Sequence, residues 1–250
     1  MKMKLKLLLL LFSITTNLVI AQTTFLDKIE TAPTLVPMIT VDSDGSFLIA
    51  NSFKEDINQS QYDGIQIIKY DDCESIVFAK NFTVPNHNLW LADFIQGSDG
   101  FYYLVGTFYY PSNNRDFFLL KLNPDGSKNS FKVFGSPFLD VAYSIQETPE
   151  GNFMIFGNTE HLPNDNRNFY LVVDNQANIQ SGKLYFNAPI WGRAIACSDG
   201  GFLGRMGRLI YKVAANGEIE WANNFNGISS SSPFVEVRMD TLLFLFVVVR

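Results

Sequence analysis

The stretch Glu150-Gly151-Asn152-Phe153-Met154-Ile155-Phe156-Gly157 joins an acidic-glycine turn to a short apolar run. Glycine at such a turn supplies the positive φ that a two-residue hairpin requires, because it has no Cβ to clash. The run that follows is apolar at successive positions instead of alternating with polar residues. We therefore expect a β-strand whose two faces are both buried.

Turns of this kind recur along the chain. The first turn glycines are 55, 51 and 49 residues apart, and each opens an apolar or aromatic run. Further apolar runs and a second turn follow inside each unit, so each unit is predicted to be a four-stranded antiparallel meander. A period near fifty is the size of one propeller blade. The predicted turn glycines are Gly45, Gly100, Gly126, Gly151, Gly200 and Gly217.

The pattern predicts an all-β fold, a β-propeller-like array of four-stranded antiparallel units. It comprises four units and a partial fifth, and the array is either closed or incomplete and open. Blades that stack face to face would cover both sides of the apolar strands. An open β-solenoid and two packed sandwiches are the alternative folds. Few segments have an apolar period of 3.6 residues, so helices should be scarce. The units cover roughly residues 34–84, 85–136, 137–188, 189–228 and 229–250.

Three stretches carry a resemblance to a known group of proteins: Asp140–Thr159, Leu119–Gly126 and Gly217–Trp221. They resemble the tandem repeats of secreted, propeller-like proteins of Bacteroidota, which combine an Asp-Gly-Gly turn, a strand ending in Lys-Leu-Asp and a Trp-led strand. The resemblance covers about residues 34–228 and implies an architecture, not an activity. Members of this group often carry a type IX sorting domain, which is not visible in this sequence.

The N-terminus has the pattern of a secretory signal peptide. Lys2, Lys4 and Lys6 precede an apolar run, and Ala21 provides a small residue at the cleavage position. A membrane anchor is the alternative, but a spanning helix needs roughly 20 clearly apolar residues and this run is shorter. We expect cleavage after Ala21, leaving residues 22–250 secreted or on the cell surface, without membrane insertion.

The composition excludes several classes of protein. Of the 250 residues, 47% are apolar and 18% are charged, which is typical of a globular chain and not of a disordered, collagenous or coiled-coil one. The net charge is −6, so we expect no nucleic-acid partner. Cys73 and Cys197 could form a disulfide only if their α-carbons lie within about 7 Å.

No sequence motif predicts a cofactor or a metal. Nucleotide-binding loops, a nucleophile elbow and zinc-binding histidine pairs are all missing from the sequence. His87 and His161 belong to different units, and the turn at Asp42–Gly45 lacks the twelve-residue ligand spacing of a calcium loop. We therefore expect no metal site and no cofactor.

The best candidate for a binding surface is the set of loops between the second and third strands of the units, at 53–63, 108–115 and 160–168. In a meander these loops emerge at one end, and their aromatic, amide and guanidinium groups suit sugars or peptides. Alternatively, these loops are polar only because they lie at the surface. The candidate residues are Tyr62, Tyr109, Tyr110, Asn113, Asn114, Arg115, His161, Asn164, Asp165, Asn166 and Arg167.

Three functions are compatible with these features. The first is an exported, non-catalytic binding or scaffold module for a glycan or protein ligand. The second is a propeller-type carbohydrate-active enzyme, a hydrolase or lyase, which would need two carboxylates about 5–10 Å apart, one with a raised pKa. The third is a truncated fragment of a longer surface protein whose further repeats would be its partners, because the apolar run Leu242–Val249 would otherwise form an exposed edge.

Overall fold

The computed structural model describes residues 38–42, 44–56, 58, 61–112, 114–162, 165–187, 192–197, 199–206, 208–224, 237–239 and 242–244. The predicted signal peptide, residues 1–21, lies outside this part. All regular elements of the described residues are β-strands, and none of these residues forms a helix that could cross a membrane. The strands belong to one compact unit, Pro33–Arg250.

The strands form four antiparallel sheets of four strands and one hairpin. Blade 1 contains β1 (Met38–Val41), β2 (Phe47–Phe53), β3 (Gly64–Tyr70) and β4 (Ile76–Thr83). Blade 2 contains β5 (Asn88–Gln96), β6 (Tyr102–Tyr109), β7 (Arg115–Leu122) and β8 (Lys128–Phe134). Blade 3 contains β9 (Asp140–Glu147), β10 (Phe153–Leu162), β11 (Asp165–Val173) and β12 (Ile179–Asn187). Blade 4 contains β13 (Gly192–Ala196), β14 (Phe202–Met206), β15 (Leu209–Val213) and β16 (Ile219–Asn224), and the hairpin pairs β17 (Val237–Met239) with β18 (Leu242–Phe244).

Each blade is a meander in which consecutive strands are hydrogen-bonded neighbours. The first strands lie innermost, since β9 contacts both β5 and β13. The fourth strands β4, β8 and β16 are the most exposed. The predicted all-β array of four four-stranded units and a partial fifth is confirmed.

Two tight turns close each of the four blades at one end, and all eight share one pattern. In the turn after β5, the Gly97 N–H donates to the Phe101 carbonyl at 2.8 Å and the Gly100 N–H donates to the Gly97 carbonyl at 2.9 Å. This is a three-residue loop, a type I turn followed by a left-handed residue, so the predicted two-residue turn is wrong. Both turn types need positive φ at glycine, and the sequence therefore does not separate them.

The left-handed position of these turns is usually, but not always, glycine. The six predicted turn glycines have φ between +77° and +86°. In the two remaining turns the position is taken by Glu74, with φ +64°, and Ala177, with φ +63°. Non-glycine residues adopt this conformation at a cost of about 1–2 kcal/mol.

Apolar cores lie between consecutive blades, and strand β10 belongs to two of them. Phe153 and Ile155 pack with side chains of blade 2, whereas Met154 and Phe156 pack with side chains of blade 4. All four side chains are buried. The expectation that both faces of this strand are covered is therefore confirmed.

Two lysines of low exposure add polar links between neighbouring blades. Lys69 of blade 1 lies 2.7 Å from Asp42 and donates to the hydroxyl of Tyr102 in blade 2 at 2.9 Å. Lys121 of blade 2 lies 3.3 Å from Asp99 and donates to a backbone carbonyl of blade 3 at 3.1 Å. Because each ammonium group has anionic and neutral acceptors, the cost of burying its charge is offset.

Alanine substitution at two turn glycines should separate backbone strain from packing. Gly100→Ala introduces a Cβ that meets no atom within 4 Å, so only the positive φ opposes it, and we expect a loss of about 1 kcal/mol in the free energy of unfolding. Gly126→Ala also places its Cβ 2.6 Å from the Phe78 ring of blade 1, and we expect a loss of about 2–4 kcal/mol.

Urea denaturation of the variants measures both losses. Glu74→Gly, at an exposed turn, is the matched control. Its free energy of unfolding should increase by about 0.5 kcal/mol, because the relief of left-handed backbone strain exceeds the entropy cost of glycine. Equal losses at Gly100 and Gly126 would contradict the close packing of Phe78 on the turn.

Candidate functional site

The loops between the second and third strands lie at the end of the blades opposite the tight turns. Blade 2 places three polar side chains in one row there, because Asn88, Tyr109 and Arg115 are cross-strand neighbours on β5, β6 and β7. The guanidinium carbon of Arg115 lies 5.5 Å from the centroid of the Tyr109 ring. Burial raises the pKa of Tyr109, and the positive charge of Arg115 opposes this shift.

Blade 1 contributes Tyr62 through a loop that is fixed to the first strand of blade 2. The Tyr62 carbonyl accepts a hydrogen bond from the Leu89 N–H at 3.3 Å, and the side-chain amide of Asn88 donates to Gln61. The ammonium group of Lys54 lies 5.1 Å from the centroid of the Tyr62 ring. Two cation–aromatic pairs from neighbouring blades therefore occupy this end of the array.

Blade 3 contributes Tyr143 from its innermost strand. The pairing register of β9 with β10 shifts between Phe156 and Gly157, which leaves Tyr143 at a β-bulge. A Cβ at Gly157 would lie 2.2 Å from the Val141 carbonyl oxygen, so the bulge requires glycine on the facing strand. Burial raises the pKa of Tyr143 to about 12, and the nearby Arg115 opposes the shift.

We call Tyr62, Tyr109, Tyr143 and Arg115 the tyrosine–arginine cluster. Three of its members were predicted from the sequence, whereas Tyr143 was missed because it lies on a strand and not in a loop. A sequence signal for it exists, since glycine within an apolar strand marks a bulge or a close backbone approach, and Gly157 occupies such a position.

Tyr110 does not join this cluster. Its hydroxyl donates to the Asp116 carboxylate at 2.8 Å, and its ring packs edge-on against His87 and Phe108. The His87 ring stacks on Phe108 with centroids 4.6 Å apart. The backbone carbonyl of Asn114 accepts a hydrogen bond from the Tyr110 N–H at 3.0 Å. Asn114, another predicted site residue, therefore shapes the loop through its backbone.

The prediction of a loop at residues 160–168 is wrong. Strand β10 extends to Leu162 and β11 begins at Asp165, with Thr159 paired to Arg167 and Glu160 paired to Asn166. Polar side chains do not end a strand while its backbone ladder continues. Asn113 and Asn164 lie outside the described residues, as do the side chains of His161, Asp165 and Asn166.

Two carboxyl groups, those of Asp116 and Asp140, lie against the connection from blade 2 to blade 3. Burial raises the pKa of Asp116, and the negative charge of Asp140 raises it further. The hydrogen bond from Tyr110 lowers this pKa and so opposes the shift. One carboxylate oxygen of Asp116 is buried and accepts no hydrogen bond within the described part of the chain. Asp140 accepts the Ser136 N–H at 2.6 Å, and a Cβ at Gly135 would lie 2.0 Å from Asp116 Oδ1.

This pair combines a carboxyl group whose pKa is raised with a buried second carboxylate. A carboxyl group with a raised pKa holds its proton at a higher pH than an ordinary aspartate, and a second carboxylate lies close enough to affect it electrostatically. Asp116 and Asp140 are not among the candidate site residues predicted from the sequence. Their proximity depends on the path of the connection between two blades, which the sequence pattern does not specify.

One group of metal-ligating side chains occurs within the described ranges. Ligand atoms of Asp71, Asp72 and Cys73 lie within 4.8 Å of one another. Asp71 accepts the Cys73 and Ser75 N–H groups at 3.0 and 2.7 Å, so the tight turn after β3 accounts for this arrangement. Cys73 is exposed and Cys197 is buried, and no disulfide joins them.

No protein-family model and no curated protein matches the sequence. Among solved structures, a protein of unknown function from Dyadobacter fermentans is similar with a TM-score of 0.56 and 14% identity, covering 82% of this chain and 70% of that one. A Hadza microbial sialidase has a TM-score of 0.52 and 12% identity, covering 75% and 44% of the two chains. The α-L-arabinanase of Penicillium chrysogenum, solved with arabinobiose, has a TM-score of 0.52 and 13% identity, covering 70% and 58%.

These similarities correct the main functional expectation. The prediction of a non-catalytic binding or scaffold module is wrong, because the propeller-type structures that resemble the chain include a sialidase and an arabinanase, which favour the enzyme alternative. At these identities the likeness establishes the fold alone. The chain spans about half the length of the two enzymes.

Two aspartates, Asp116 and Asp99, should contribute to the pH dependence of the protein's stability with opposite signs. The pKa of Asp116 is raised above its ordinary 3.8, so the native state binds this proton more tightly and stability falls as the pH rises through the raised pKa. Asp116→Asn should therefore have a higher thermal midpoint than the parent protein near pH 7, and this advantage should disappear near pH 3.

Asp99→Asn is the matched control with the opposite sign. Burial opposes the shift, but hydrogen bonds from Tyr103 and Lys121 hold the pKa of Asp99 below its ordinary value. Asp99→Asn should destabilise the protein near pH 7 and less so near pH 3. A stability difference for Asp116→Asn that stays constant between these pH values would contradict the raised pKa.

Proposed function

We propose that this protein is a propeller-type glycan hydrolase whose substrate binds at the tyrosine–arginine cluster. The observation that carries the proposal is a carboxyl group with a raised pKa, Asp116, beside the second carboxylate of Asp140, at the end of the blades where three tyrosines converge. The propeller fold supports it, because the similar structures include a sialidase and an arabinanase.

The cluster supplies the features that sugar recognition needs. Tyrosine rings offer apolar faces on which a sugar ring stacks, and their hydroxyls bond to sugar hydroxyls. The amides of Asn88 and Gln61 lie beside Tyr62 and add donors and acceptors. All these groups are held by strands or by loops bonded to strands, which limits the entropy lost on binding.

The two carboxyl groups supply the chemistry of glycosidic cleavage. Asp116 would donate its proton to the leaving oxygen, and the charge of the buried Asp140 would help to keep that carboxyl group protonated. The Tyr110 hydroxyl positions Asp116 through its 2.8 Å hydrogen bond and lowers the carboxyl pKa. Because the sequence predicts an export signal ending at Ala21, we place this activity outside the cytoplasm.

Hydrolysis of aryl glycosides and polysaccharides by the full chain tests the proposal. Asp116→Asn should lower kcat by about 100-fold or more, since general acid catalysis contributes that much, with little change in substrate affinity. Tyr109→Ala should weaken affinity instead, because a stacking surface is lost. Glu74→Gln, at an exposed turn on the other end of blade 1, is the control and should leave both values unchanged.

The pH profile separates catalysis from a structural role. Tyr110→Phe removes a hydrogen bond that stabilises the ionised form of Asp116, so the alkaline limb of activity should move to higher pH. Glycan cleavage that survives Asp116→Asn in a folded protein would refute this assignment.

A further inference from the structure

The cation of the tyrosine–arginine cluster, Arg115, interacts with aromatic rings and not with an acidic side chain of the described residues. Arg115 is exposed, and among the described residues no carboxylate forms an ion pair with it. The neighbouring Asp116 is bonded to Tyr110, and Asp63 of the adjoining loop accepts the Glu55 N–H at 2.6 Å. Both nearby acids therefore have other hydrogen-bond donors on one of their oxygens, and neither forms an ion pair with Arg115.

The exposed guanidinium of Arg115 interacts with tyrosines of two blades. Its guanidinium lies over the Tyr109 ring and acts electrostatically on Tyr143 of the next blade. A guanidinium held by an aromatic ring keeps its planar set of donors, which match the two oxygens of a carboxylate. Lys54, over the Tyr62 ring, brings a second positive charge to the same end of the blades.

We infer that the substrate is an acidic glycan, in which a sugar carboxylate pairs with Arg115 while sugar rings stack on the tyrosines. This inference rests on the proposed function and specifies its substrate class. The chain carries a net charge of −6, so attraction of an anionic polymer must come from a local cation, which is Arg115. Binding should therefore weaken strongly as salt is added.

Calorimetric titration with oligogalacturonate and with its methyl ester tests the inference, because the two ligands share a backbone and differ in charge. The full-length protein should bind the acid about tenfold or more tightly than the ester, as expected for one good charge-assisted pair. Arg115→Gln should abolish this preference. Arg115→Lys should restore it only partly, since a lysine cannot pair in a bidentate manner.

Lys128→Gln is the matched control, because Lys128 also lies over an aromatic ring, that of Phe82, but on the outermost strand of blade 2. It should leave the preference for the acid unchanged. Thermal midpoints of all variants establish that they fold. Equal affinity for acid and ester, or a preference that persists in Arg115→Gln, would overturn the inference.

Two further ligands test the chemistry of the anion. Tighter binding of dextran sulfate than of oligogalacturonate would overturn the carboxylate assignment, and equal binding of polyglutamate would overturn the sugar assignment. Hydrolysis of neutral glycans without a preference for acidic ones would keep the proposed function and refute this inference. The protein could instead bind acidic glycans selectively, lose this selectivity in Arg115→Gln and cleave no glycan. That result would refute the proposed hydrolase activity and support the recognition of acidic glycans by Arg115.

Discussion

Burial of both faces of the second strand in a blade is the constraint on which the rest of the structure depends. Phe153 and Ile155 face blade 2 while Met154 and Phe156 face blade 4, so blade 3 cannot shield its own apolar surface. Two fully buried side chains on each face contribute several kcal/mol, which is comparable to the stability of a whole domain. Face-to-face stacking of blades follows from this requirement.

The candidate site is a consequence of the same stacking. Packed blades bring their first strands together, and a bulge in β9 then places Tyr143 near Tyr109 and Arg115 of the preceding blade. Gly157 makes this possible, because any side chain there would collide with the backbone of β9. Thus the residues that form the cluster come from different blades, and both the apolar cores and hydrogen bonds between blades position them.

The sequence predicted the architecture better than the site. Turn glycines such as Gly100 recur with a period near fifty residues, and each lies where the backbone needs a positive φ, so the four meanders were predictable, although the three-residue loops were not. Tyr109 and Arg115 were found because they flank a loop. The pairing of Asp116 with Asp140 was not predictable, since it depends on how one blade sits against the next. Polarity also led to a wrong prediction: residues 160–168 are mostly polar, yet most of them continue a strand.

A double-mutant cycle across the contact of blades 2 and 3 tests the packing most directly. The rings of Tyr103 and Phe153 are stacked with centroids 3.7 Å apart, so Tyr103→Leu and Phe153→Leu should show a coupling free energy of about 1 kcal/mol. Tyr103 and Phe202 belong to blades 2 and 4, and the same cycle between them should give additive losses. Additive losses for Tyr103 and Phe153 would contradict the face-to-face packing of consecutive blades.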